Sequence, residues 1–309
     1  MRITAFAWAT LAWNVAVVLW GAYVRATGSG AGCGNRWPIC GGEVLGASAR
    51  TPTIIEFTHR LTSGIALLMV SSLAIWCWRV TKKGDWARYS AVLATVFLVN
   101  EALLGAALVL LGHVAQDKSS GRILFLCLHF GNTLLLLAML TLTARWLQAV
   151  NSNLKFLPRP REVMAIGVGL FATMVIGITG AVAALSDTIF PATSLRSSLA
   201  EDFSSSAPVL LHLRLVHPAV AVIASAYVLW VILKIAPRQT GRSRTAIALV
   251  FLFGAQIGLG IMNVLLLTPV WLQILHLCIA DLLWIVLVLA SADLLLESAD
   301  TAAVVAGRA

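Results

Sequence analysis

Four of the six histidines in this 309-residue chain form two pairs at related positions inside strongly apolar segments. His59 and His129 are 70 residues apart (129 − 59), and His217 and His276 are 59 apart (276 − 217). The offsets between the pairs are 158 (217 − 59) and 147 (276 − 129). An imidazole surrounded by apolar residues needs a partner for its ring nitrogens, so an intramembrane histidine points to function by default. Low-spin haem iron takes two axial nitrogens on opposite faces of the ring, and two helices across a bundle supply them. Two duplicated pairs therefore point to two metal centres, most simply two haems. A lone histidine of this kind is more often a hydrogen-bonded core residue, but recurrence at four related positions weighs against that. Zinc or copper is the weaker option, because no cysteine or carboxylate cluster completes a compact coordination sphere. His113, at the end of an apolar segment, and His212, which has no repeat mate, read as structural or supporting residues.

The elements that must position these residues are membrane helices. The chain is 60% hydrophobic and 11% charged, with a mean hydropathy of +0.91. A soluble domain carries about 25% charged residues. Eight spans are expected, at about 3–24, 52–78, 88–112, 122–147, 163–184, 208–234, 245–267 and 271–295. Ile3 to Val24 reads as a span running into the fold rather than a cleavable signal. The +9 formal charge is dispersed over loops and reads as a topology signal, with no nucleic-acid partner expected. Arg79, Lys82, Lys83, Arg88, Arg145, Lys155, Arg159, Arg161, Lys234, Arg238, Arg242 and Arg244 mark one side, with Arg2 and Arg308. The positive-inside rule makes that side cytoplasmic, so a multi-pass protein of the cell (inner) membrane with both termini in the cytoplasm is expected.

Residues 151–161 read as a linker between two four-helix halves, 1–150 and 151–309. Gly21-Ala22 matches Gly180-Ala181 at an offset of 159 (180 − 21), and Glu101-x3-Gly105 matches Gln256-x3-Gly260 at 155 (256 − 101). An even number of helices per unit keeps both halves in one orientation, so the repeat is parallel. The expected fold is an all-α integral membrane protein of two pseudo-symmetric parallel four-helix bundles.

The halves diverge beside their histidines. Glu56 precedes His59 by three residues and shares its helical face, while Arg214 takes the matching place before His217. A carboxylate near a haem edge moves protons or positions a substrate; an arginine there suits a haem propionate. Chemistry is therefore expected in the first half and electron relay in the second. The plainer readings are a headgroup-solvated Glu56 and an interfacial, snorkelling Arg60. Glu101, deep in an apolar run, is either a structural hydrogen-bond partner or a proton or substrate group. Cys33 and Cys40 lie in the outer loop, where a structural or redox-active disulfide and two free thiols both fit.

Several motifs resemble the heme A synthase family. They are Gly21-Ala22-x-Val24-Arg25-x-Thr27-Gly28-Ser29-Gly30-x2-Cys33, Trp37-Pro38-x-Cys40 and Glu56-x2-Thr58-His59-Arg60. In the second half they are Thr179-Gly180-Ala181, Asp187-Thr188-x-Phe190-Pro191, Arg214-x2-His217-Pro218 and His276. The resemblance spans nearly the whole chain and implies oxidation of the C8 methyl of heme O to a formyl group. By resemblance, His59 and His129 flank the substrate haem, with Glu56 as the catalytic acid beside it. His217 and His276 ligate the iron of a resident haem b, and Cys33–Cys40 is the outer-loop disulfide. Arg25 and Arg60 join Arg214 as propionate partners or supports of the haem sites. The implied partners are heme O, its synthase, cytochrome c oxidase assembly factors and membrane lipid; a homo-oligomer is possible. The family often has a second cysteine pair, in the 185–207 loop, which this chain lacks, and Glu101 stands where glutamine is more usual. The rival readings are a dihaem b-type electron-transfer protein of the quinol-oxidising sort and a parallel-repeat transporter with proton-relaying histidines.

Overall fold

The computed structural model describes residues 2–40, 50–149, 154–156, 160–235 and 240–298. Eight helices are long and apolar enough to cross a membrane. They are α1 (Arg2–Ala26), α2 (Thr51–Val80), α3 (Trp86–Leu110), α4 (Ser120–Ala149), α5 (Pro160–Ile189), α7 (Val209–Ile235), α8 (Thr240–Leu265) and α9 (Val270–Leu295). Each coincides with an expected span, although α5 runs five residues past its expected end (189 − 184). Among the described residues the protein is an all-α integral membrane protein but for two three-residue strands. β1 (Leu154–Phe156) lies within the expected linker and pairs antiparallel with β2 (Leu296–Ser298). A ninth helix, α6 (Leu195–Asp202), is folded from the loop between α5 and α7. The expected half boundary at 150–151, Arg159, Arg238 and the chain end with Arg308 lie outside the described residues.

In α1–α4, each helix packs against two others: α1 on α2 and α4, and α3 on α2 and α4. The same neighbour order recurs in α5, α7, α8 and α9, with less contact between α7 and α8. Helices α1 and α4 meet α5 and α9 across the middle. The core there is built from Leu11, Val70, Leu73, Leu137 and Leu140, with Trp284 and Val288 contributed by α9. Alanines 7, 66, 91 and 94, all buried, let helix backbones approach closely, the usual basis of helix association in lipid. Large apolar side chains such as Leu68, Leu103, Phe171, Ile223 and Phe251 face outward, as a bilayer solvent permits.

Polar bonds tie the two helix sets together at three depths. Trp284 Nε1 donates to the Leu134 carbonyl at 2.7 Å in the buried middle. Arg145 Nε meets Asp293 Oδ1 at 2.6 Å near one end. At the other end, Arg25 donates to the Ala184 carbonyl and Thr188 Oγ1, both at 2.6 Å, and to Gln273 Oε1 at 3.0 Å.

Candidate haem sites

Each of the four paired histidines lies against a helix glycine. A Cβ on Gly21 would stand 3.0 Å from His59 Cε1, and one on Gly180 would stand 3.0 Å from His217 Cε1. A Cβ on Gly105 would meet His129 Nε2 at 3.4 Å, and one on Gly260 would meet His276 Cε1 at 3.4 Å. Gly21 and Gly180, like Gly105 and Gly260, are the positions matched in the sequence comparison of the two halves. The missing side chains leave a cradle on the neighbouring helix in which an imidazole fits. Within each pair the two rings lie within electrostatic reach of one another.

The ring nitrogens are unequally satisfied. His59 Nδ1 and His276 Nδ1 are buried and have no hydrogen-bond partner among the described residues. His217 Nδ1 lies 3.3 Å from Thr179 Oγ1. His276 Nε2 lies 3.2 Å from Gln256 Nε2. His129 Nδ1 lies 2.8 Å from Glu101 Oε1. Among the described residues no group of three or more His, Cys, Asp or Glu gathers as a metal cage. Paired imidazoles with orphaned nitrogens, cradled by glycines, fit an iron held by two axial ligands with its remaining bonds supplied by a porphyrin. They do not fit a tetrahedral ion.

Glu56 does not stand free beside His59. It is 3% exposed, and both of its oxygens are taken. Oε2 accepts the Cys33 N–H at 2.8 Å, and Oε1 accepts Arg60 Nη2 at 2.5 Å. The second Arg60 nitrogen, Nη1, donates to the carbonyls of Arg36 at 2.7 Å and Pro38 at 3.2 Å. Cys33 and Cys40 are joined in a disulfide. Glu56 and Arg60 thus hold that disulfide loop on the first turns of α2. Thr53 adds a bond to the Gly32 carbonyl at 2.7 Å, and a Cβ on Gly32 would come within 2.3 Å of the Pro52 carbonyl oxygen. Only glycine permits that approach.

Arg214 performs the corresponding task in the second half. Its guanidinium donates to Asp187 Oδ1 at 2.9 Å, Ser198 Oγ at 2.9 Å and, through Nε, Asp202 Oδ1 at 3.0 Å. This network fixes α6 to α5 and α7. The repeat mates Glu56 and Arg214 carry opposite charges, yet each anchors the outer segment of its own half. Arg25 is occupied across the middle, as described above, so the structure gives Arg25, Arg60 and Arg214 protein partners.

Some partners escaped the sequence reading. Glu101 Oε1 also accepts Thr133 Oγ1, and Oε2 accepts Asn132 Nδ2 at 2.5 Å. Asn132 is itself held by the Phe97 carbonyl at 2.8 Å and by Asn100 at 2.7 Å. Asp187 stood in a quoted motif without an expected partner, and Asp202 and Gln273 were not singled out; the three pair with arginines 12 to 248 positions away. The two remaining histidines have protein partners: His113 Nδ1 lies 2.8 Å from Asp117 Oδ2, and His212 Nε2 lies 2.9 Å from the Ser204 carbonyl. At Asp117 burial acts the other way, yet bonds from Ser119 and His113 hold the carboxyl below its ordinary range.

A protein of Thermus thermophilus named protoheme IX farnesyltransferase is 43% identical over 290 residues, which is 93% of this chain and 47% of that protein. A heme A synthase of Shouchella clausii is 40% identical over 129 residues, covering 42% of this chain and 40% of its own length. One of Bacillus mycoides is 42% identical over 126 residues, covering 41% and 38%. The chain therefore spans about half or less of the length of these relatives. The model of the cytochrome oxidase assembly protein family COX15-CtaA matches residues 4–288, and the chain belongs to that family.

Proposed function

We propose that the chain is a heme A synthase: a membrane oxidoreductase that converts the C8 methyl of heme O to a formyl group. The observation that carries this reading is the set of four glycine-cradled histidines with unequal neighbours, in a member of the oxidase assembly family. Two equal electron-relay haems would not require a carboxylate on one ligand and an amide on its repeat mate. His59 and His129 bind heme O, the substrate; His217 and His276 hold a resident haem b. When bound, haem b relays electrons, a task for which the chain has no flavin or nicotinamide fingerprint of its own.

The chain's residues bind and orient. His59 and His129 present imidazoles from facing helices, α2 and α4. Glu56 and Arg60 hold the Cys33–Cys40 loop at the end of the first-half site, where it excludes water. Glu56 stands one helical turn from His59 in sequence and is the candidate to move a proton there. Arg25, Arg60 and Arg214 stand at that end; Arg60 and Arg214 are paired with carboxylates, whereas Arg25 donates to neutral groups and is the one best placed to meet a propionate. The chain sits in the cell membrane, the Cys33–Cys40 loop on the oxidising side and both termini in the cytoplasm.

The name of the Thermus relative describes a protein of which this chain spans 47%. We assign farnesyl transfer to the part outside the match. Prenyl diphosphate chemistry calls for carboxylates gathered round a divalent cation, whereas Glu56, Asp187 and Asp202 are paired with arginines. A relative of that name that also carries a stretch similar to this chain supports a heme O synthase as the supplier of substrate.

The test is a variant series expressed with a heme O source. His217→Ala and His276→Ala are expected to lose haem b, and His59→Ala to keep haem b but make no heme A. Retention of haem b by both second-half variants would contradict the assignment.

A further inference from the structure

The three-donor setting of Glu101 is unlike anything around the other histidines. Thr133 and Asn132 donate to its two oxygens, and His129 Nδ1 lies 2.8 Å from Oε1. A carboxylate receiving a hydroxyl and an amide N–H has only lone pairs left for the imidazole, so the Nδ1 hydrogen belongs to His129. Nε2 is then the bare nitrogen, and it is the ring atom nearest the Gly105 cradle. At the repeat-related site the arrangement is reversed. Gln256 meets Nε2 of His276, and Nδ1 has no partner among the described residues.

We propose that Glu101 is a positioning residue that fixes the His129 tautomer and makes it a more strongly donating iron ligand than His276. This rests on the haem reading of the four histidines. Carboxylates on the outer nitrogen of a metal-binding histidine raise ligand basicity, and their loss typically weakens metal binding about 10–100-fold. The two sites are thereby poised differently. A haem held by His129 would sit at the lower reduction potential, its oxidised form the better stabilised, and one held by His276 at the higher. Phe97 and Asn100, each bonded to Asn132, hold through it the Glu101 carboxylate in place.

The full chain, purified in detergent and reconstituted with protohaem, supplies the test. Wild type is expected to show two reduction waves. Glu101→Gln should move one wave upward and leave the other in place; Glu101→Ala should weaken retention of that haem about 10–100-fold. Glu101→Asp should restore part of both. In haem-free protein with 15N-labelled histidine, His129 should be Nδ1-protonated in wild type and lose that preference in Glu101→Gln, a readout that does not depend on haem. Two waves unmoved in Glu101→Gln, or a His129 tautomer indifferent to it, would overturn the proposal. A wild-type chain without a Soret band would instead overturn the haem reading on which it stands.

Discussion

Replacing Glu56 by alanine removes the acceptor of the Cys33 N–H and the carboxylate beside Arg60, in a place only 3% exposed. A charge-assisted hydrogen bond contributes roughly 1.5–3 kcal/mol, and an orphaned buried donor costs about 1–3 kcal/mol. Water reaching Arg60 from the loop end recovers part of this, leaving a net of about 3 kcal/mol. The loss falls on the attachment of one loop, so it appears as local opening before global unfolding. At about 1.4 kcal/mol per tenfold change, the opened loop becomes roughly 100-fold more populated. The assay is the rate at which a dithiol reductant opens Cys33–Cys40, followed by alkylation and mass measurement. Glu56→Ala is expected to accelerate reduction about 100-fold, and Glu56→Gln, which keeps an acceptor for Cys33, should fall between. An unchanged rate in Glu56→Ala would refute the anchoring role. Arg60→Ala separates anchoring from chemistry, since it frees the loop but keeps the carboxylate. If both variants lose heme A formation, the loop is what matters; if only Glu56→Ala does, the carboxylate acts on the substrate.

Further outcomes follow from the packing. Gly180→Ala should displace the His217 ring, at an overpacking cost of about 1–3 kcal/mol, and lower the haem retained by purified protein. Gly260→Ala, with its Cβ at 3.4 Å rather than 3.0 Å from the ring, should be milder; equal losses would contradict the cradle geometry. Asp281 is 0% exposed, and neither carboxyl oxygen has a hydrogen-bond partner among the described residues. Asp281→Ala should therefore raise the thermal midpoint in detergent, since an unpaired buried polar group costs about 1–3 kcal/mol; a lower midpoint would mean that the carboxyl is satisfied. Arg145→Ala breaks an ion pair whose Asp293 side chain is 42% exposed, so it should cost less than about 1 kcal/mol. A large fall in the folded fraction by size-exclusion chromatography would show that this contact holds the helix sets together.

The eight spans were legible because the bilayer leaves a crude and repetitive mark: about twenty apolar residues at a time. A repeat was read from the matching of Gly21 with Gly180 and of Glu101 with Gln256, and all four of the paired histidines lie against a glycine. Helix α6 was overlooked although its Ser194–Ser197 capping box is a local signal. The β1–β2 pair joins residues 140 to 144 positions apart (296 − 156 and 298 − 154) by backbone bonds, which side-chain patterning does not reveal. Partner choice was the least legible feature. Glu56 and His59 share a helical face by spacing, yet the carboxylate turns to Cys33 and Arg60, because an unpaired buried charge takes the nearest strong donors. Glu101 showed itself as an acid in an apolar run; that His129 stands beside it depends on how α3 packs on α4.

The most direct test of unequal haem sites is the identity and ratio of haems extracted from the purified wild-type chain after expression with a heme O source. Haem b together with heme A is the predicted result. Haem b alone, at two per chain, would make it a dihaem electron carrier and contradict the proposed function.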